Sequence, residues 1–122
     1  AFAPVLHGNG GGALLNVLSI ASWITRRMLG VYGASKSAAW ALTNGLRHEL
    51  REQGTQVTAL HMGFVDTDLT RGIDVPKATP EAIVRAAFDG LEAGAAEVLA
   101  DEATLQVKQS LSSAAAAYLA AS

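Results

Sequence analysis

The chain contains no cysteine, which excludes disulfides, thiolate nucleophiles and cysteine metal ligands and is compatible with a reducing compartment. No apolar run approaches the roughly 18 residues of a membrane span. The opening Ala1-Phe2-Ala3-Pro4-Val5-Leu6 lacks the basic n-region of a secretory signal. Charge is sparse, with 16% of residues Asp, Glu, Lys or Arg and a net charge of −2. The two signs are interspersed, so no basic footprint points to nucleic acid or to an anionic membrane surface. His7, His48 and His61 are far apart in sequence, and no metal-ligand spacing exists. These absences lead to the expectation of a soluble, cytoplasmic protein without nucleic-acid, membrane or metal partners.

What is present is apolar. Half of the 122 residues are hydrophobic, enough for one modest domain with a real core. Ala1 to Leu6 reads as a helix end, with His7 in its last turn and Gly8 as the stop. Ala13 to Leu18 is apolar except for Asn16 and reads as a strand buried on both faces. Tyr32 to Gln53 is a helix with an apolar stripe of Ala39, Leu42, Leu46 and Leu50, closed by Gly54. Val57 to Met62 is the next strand.

Thr79 caps a further helix, with Pro80 at its first position, Glu81 in its first turn and Gly94 at its end. Its apolar face is Ile83, Val84, Ala87, Phe88 and Leu91. Glu97 to Ala100 is a short last strand, and Asp101 caps a terminal helix carrying Leu105, Leu111, Ala114 to Ala117 and Tyr118. Strands alternating with helices predict a parallel α/β sheet.

Two motifs are false leads. Gly8-Asn9-Gly10-Gly11-Gly12-Ala13 formally matches a dinucleotide fingerprint. That fingerprint follows a strand and opens a helix, whereas this one precedes a strand and reads as a flexible αβ turn. Gly33-Ala34-Ser35-Lys36-Ser37 lacks both the final glycine and the incoming strand of a nucleophile elbow.

The informative constellation is Ser19 with Tyr32 and Lys36. Four residues separate Tyr32 from Lys36, so a helix stacks them on one face. An ammonium beside a phenol favours the phenolate, and such a pair can pass a proton near neutral pH. Ser19, thirteen residues before Tyr32, ends the first strand run and places a hydroxyl at the carboxyl edge of the sheet, where open α/β sheets bind ligands.

Asn16-Val17-Leu18-Ser19, then Tyr32-Gly33-Ala34-Ser35-Lys36, resembles the short-chain dehydrogenase/reductase family. In that family a strand ends in Asn-x-x-Ser and Tyr-x-x-x-Lys opens the next long helix. The resemblance implies a Rossmann-type α/β fold and an NAD(P)-dependent oxidoreductase interconverting a carbonyl and an alcohol. Tyr32 would be the general acid/base. Lys36 would assist it and bind the nicotinamide ribose, and Ser19 would hold the substrate oxygen.

Gly63, Val65 and Thr67 fall in the family's cofactor loop, where Met62 stands in place of the usual proline. Ser22, Trp23, Met28 and Leu29 would border an apolar-walled substrate cavity, and residues 70–78 would be a short substrate loop. Trp23 reads equally as packing. Arg26 and Arg27 read as a solvated loop and His61 as a core or edge histidine. The resemblance implies a homodimer or homotetramer through the 32–53 helix, whose Ala38, Trp40, Ala41 and Gly45 would let a second helix approach.

The family is about twice this length, so residues 1–122 are expected to be its C-terminal half, without the glycine-rich dinucleotide turn and the catalytic asparagine. Asn16 is not that asparagine and reads as a structural hydrogen-bonding residue. NAD and NADP remain open, because the discriminating strand end lies upstream. The alternative is a non-catalytic α/β fragment or interaction piece with an incomplete cofactor site and an exposed sheet edge.

Overall fold

The structure is a computed structural model and describes residues 1–120. Elements alternate as α1 (Phe2–Gly8), β1 (Gly12–Val17), α2 (Gly30–Glu49), β2 (Thr55–His61), α3 (Pro80–Glu92), β3 (Glu97–Leu99) and α4 (Glu102–Ser110). Short 3₁₀ turns lie at Ile20–Ser22, Asp68–Thr70 and Ala117–Leu119. The strands form one parallel sheet in the order β1-β2-β3. This is the α/β, Rossmann-type architecture expected from the sequence.

One closure repeats before every strand. Ahead of β1, the Gly11 N–H bonds to the Leu6 carbonyl at 2.8 Å and the Gly10 N–H to that of His7 at 3.1 Å. Thr55 and Gly54 bond to Leu50 and Arg51 in the same pattern, and Ala95 and Gly94 to Gly90 and Leu91. Gly10, Gly54 and Gly94 have φ of +85°, +73° and +70°, the left-handed position that this helix ending requires. The glycine-rich stretch after α1 is therefore a helix stop, set two residues beyond the expected Gly8.

β2 is the buried centre of the sheet. By strand alternation Val57, Ala59 and His61 share one face, while Leu60 packs on the other with Ile83, Ala87 and Val98. Gly90 allows α3 to approach β3, since a Cβ there would lie 2.2 Å from Val98 Cγ2. Asn16 has the structural role expected, its Nδ2 donating to Thr43 Oγ1 at 2.9 Å.

Four expectations are corrected. β1 is not buried on both faces: Gly12, Ala13 and Val17 are exposed, because among the described residues it pairs with β2 alone. Leu42 of α2 is 65% exposed, and the helix turns Gly33 and Thr43 inward instead, with the Asn16 bond drawing the Thr43 side to the sheet. On α3, Val84 and Phe88 face outward and only Ile83 and Ala87 are buried.

The alanine run does not continue the terminal helix. α4 stops at Ser110, whose Oγ accepts from the Ala117 N–H, and Ser113 Oγ accepts from the Ala115 N–H. Serine side chains thus offer the backbone a local alternative that outweighs the alanine helix propensity.

Candidate active site

Because the strands are parallel, the segments after β1, β2 and β3 all leave the same edge of the sheet. Ser19 follows β1 in extended conformation, and its Oγ accepts from the Ala21 N–H at 3.0 Å, starting the 3₁₀ turn. Leu18 and Ile20 continue the ladder to the carbonyls of Leu60 and Met62, each at 2.8 Å. The backbone on both sides of Ser19 is thereby held to β2.

Tyr32 and Lys36 occupy the first turns of α2, with Lys36 Nζ 5.8 Å from the centre of the Tyr32 ring. Tyr32 is about half exposed, at 48%, so its phenol can meet a ligand. The helix is laced to the Ser19 segment by two bonds. Ser22 Oγ donates to the Lys36 carbonyl at 3.2 Å, and Ser37 Oγ donates to the Ser22 carbonyl at 2.6 Å. Gly33 permits this approach, since a Cβ there would lie 3.2 Å from Thr25 Oγ1 and 3.5 Å from the Ala21 carbonyl oxygen. Ser35, the false elbow serine, donates to the Tyr32 carbonyl within the helix.

The loop after β2 carries Gly63, Val65 and Thr67. The Gly63 N–H donates to Asp101 Oδ2 at 2.7 Å. Val65 forms a parallel bridge with Ala78, built from Ala78 N–H to the Phe64 carbonyl at 3.0 Å and Asp66 N–H to the Ala78 carbonyl at 2.8 Å. That bridge turns the amide and carbonyl of Val65 to the opposite side. There the carbonyl accepts from Thr70 Oγ1 at 2.6 Å, and the Val65 N–H has no partner among the described residues. An unpartnered amide beside the sheet edge fits a carboxamide such as that of nicotinamide. The Thr67 N–H bonds to Thr70 Oγ1 at 3.1 Å.

Of the four residues expected along a substrate cavity, Ser22 and Trp23 are buried, at 5% and 8% exposure, and Met28 and Leu29 are exposed. Met28 has φ +68°, an uncommon conformation for a side-chain-bearing residue. The structure therefore separates these residues into an inner pair and an outer pair.

The inner pair leads to a cluster that sequence reasoning missed. Trp23 stacks on His61 with ring centres 4.2 Å apart and meets Trp40 edge-on at 5.7 Å. Glu97 joins them. Its Oε2 accepts from Trp40 Nε1 at 2.9 Å and lies 2.7 Å from His61 Nε2, while Oε1 accepts from Lys108 Nζ at 3.0 Å. Trp40, expected at a helix–helix surface, is thus turned inward. A lone carboxylate in the apolar run Ala95-Ala96-Glu97-Val98-Leu99-Ala100 was the available signal.

The three-stranded parallel sheet with flanking helices is a Rossmann-type arrangement, with Ser19, Tyr32 and Lys36 in the segments that follow the carboxyl end of β1. The short chain dehydrogenase family matches residues 1–77, and the chain belongs to that family. It is 36% identical over 74 residues to an uncharacterized oxidoreductase of Staphylococcus epidermidis, covering 61% of this chain and 32% of that protein. An uncharacterized oxidoreductase of Staphylococcus saprophyticus is 33% identical over 95 residues, covering 75% of this chain and 41% of that one.

Among solved structures, a short chain dehydrogenase from Burkholderia cenocepacia in complex with NADP superposes with a TM-score of 0.86 and 35% identity, over 93% of this chain and 49% of that one. A short-chain dehydrogenase from Sphingobium yanoikuyae in complex with NADPH gives a TM-score of 0.70 and 28% identity, over 79% and 40%. The chain thus spans 32% to 49% of the length of these relatives. Among the described residues no helix is long and apolar enough to cross a membrane.

Proposed function

We propose that this chain is the C-terminal, carbonyl-handling half of an NAD(P)-dependent short-chain dehydrogenase/reductase that interconverts a carbonyl and an alcohol. The observation that supports the reading is the pair of bonds that ties the turn after Ser19 to α2, the helix of Tyr32 and Lys36: Ser22 Oγ donates to the Lys36 carbonyl and Ser37 Oγ donates to the Ser22 carbonyl. The NADP and NADPH held by the Burkholderia and Sphingobium enzymes support a nicotinamide dinucleotide as cofactor.

When bound, the nicotinamide supplies or accepts the hydride; the chain's own residues manage the oxygen and its proton. In reduction the Tyr32 hydroxyl gives its proton to the carbonyl oxygen, and in oxidation it takes the proton back from the alcohol. The Lys36 ammonium offsets the negative charge left on the phenol and offers N–H donors to the ribose. Ser19 Oγ donates to the substrate oxygen and stabilises charge developing there. The Val65 N–H and Thr67, with the chain entering at Gly63, hold the nicotinamide end. Met28 and Leu29 line the outer side of the substrate approach.

On this reading the adenosine and pyrophosphate are held by a segment outside residues 1–122, and the chain alone is inactive. The one-sided pairing of β1 supports this, as does the exposure of Val17. Self-association through α2, as a homodimer or homotetramer, is supported by the exposed Val31 and Leu42 with Ala38, Ala41 and Gly45. The test is a carbonyl panel with NADH and NADPH on the full-length natural protein. Dinucleotide oxidation with any member supports the reading, and the absence of both turnover and dinucleotide binding would overturn it.

A further inference from the structure

Asp101 reaches two elements with one carboxylate. Beyond β3 the Ala100 N–H still bonds to the His61 carbonyl at 3.0 Å. At the next residue the ladder is carried on by a side chain, with Asp101 Oδ2 accepting from the Gly63 N–H at 2.7 Å. Oδ1 accepts from the Thr104 N–H at 2.8 Å and caps α4. Helix capping alone needs only one acceptor oxygen, so the second contact calls for its own account.

The loop that receives it has few other restraints at that point. Met62, unlike a proline, leaves φ free to vary, and the chain turns outward here between the ladder of β2 and the Val65–Ala78 bridge. The Met62 carbonyl is held by the Ile20 N–H at 2.8 Å, and the next peptide is held by Asp101. A charged acceptor on a backbone N–H is among the stronger hydrogen bonds. Two residues further on is the unpartnered Val65 amide, which the bridge to Ala78 turns to the free side and whose position follows from where the chain leaves Gly63.

We infer that Asp101 is a positioning residue for the nicotinamide-binding loop: its carboxylate fixes the Gly63 peptide and so sets the position of the Val65 N–H two residues on. The inference rests on the oxidoreductase reading above. It assigns Asp101 no contact with substrate or cofactor.

Asp101→Ser separates the two contacts. Serine is a preferred helix cap and retains an acceptor for Thr104, but its hydroxyl is too short to reach Gly63 as well. In the full-length enzyme without cofactor, amide exchange at Gly63 should quicken about tenfold or more, as for loss of one charge-assisted bond, while exchange at Thr104 stays as in wild type. With cofactor, KM for the dinucleotide should rise by about tenfold while kcat changes by less than about twofold.

Unchanged Gly63 exchange, or faster Gly63 exchange with wild-type KM, would overturn the inference. Asp101→Ala is the control that loses the cap as well, and there exchange at Thr104 should also quicken; a cap-only role would make Asp101→Ser indistinguishable from wild type. Failure of the wild-type enzyme to bind any dinucleotide would instead sink the oxidoreductase reading.

Discussion

His61 Nε2 lies 2.7 Å from Glu97 Oε2 across the ends of β2 and β3, on the side where Trp23 and Trp40 meet. An ionised carboxylate can only accept, so Nε2 carries the hydrogen and donates it. His61 is fully buried and its Nδ1 has no partner among the described residues. The His61 bond is the largest cause pulling the Glu97 carboxyl down from 4.5 to about 2; burial opposes it, and the bonds from Lys108 and Trp40 add to it.

A carboxylate whose pKa is lower in the folded state stabilises the fold fully above its unfolded value. That contribution fades as pH falls through the folded value. For Glu97 the window runs from 4.5 down to about 2. Thermal melts of wild type and Glu97→Gln across this window should differ in slope, with wild type losing stability more steeply on acidification. Parallel curves would show that the carboxylate is not what binds these elements together.

Gly90 and Val98 offer a test of packing. Gly90→Ala should destabilise the protein by about 1–3 kcal/mol, since the new methyl overlaps Val98 Cγ2. In a Val98→Ala background the same change should cost much less. Denaturant midpoints for the four proteins of this cycle measure the coupling, and an additive result would contradict the tight α3–β3 contact.

On the proposed function, in which Ser19 donates to the substrate oxygen, Ser19→Ala should lower kcat by about 10²–10³-fold. It also removes the acceptor for the Ala21 N–H, which costs about 1 kcal/mol. Stability assayed beside activity separates the two effects. Near-wild-type kcat would remove Ser19 from the site.

Much of this was legible in the sequence because it is local. The Tyr32/Lys36 spacing, the Thr79-Pro80 helix start and the helix stops at Gly54 and Gly94 act within one turn of chain. What was not legible depends on partners far apart in sequence. Glu97 gathers groups from α2, β2 and α4, and Asp101 meets Gly63 from 38 residues away. Leu42, Val84 and Phe88 have the residue types and spacing of a core face, yet the packed sheet covers only part of each helix. The alanine run was read by propensity, and the serines beside it redirected the backbone.

The measurement that bears most directly on the central claim is Tyr32→Phe in the full-length enzyme, with carbonyl reduction and dinucleotide affinity followed together. Loss of the proton donor should lower kcat by about 10²–10⁴-fold, while dinucleotide affinity stays within about threefold of wild type. Turnover at the wild-type rate would contradict the assignment of Tyr32 as the acid/base of this site.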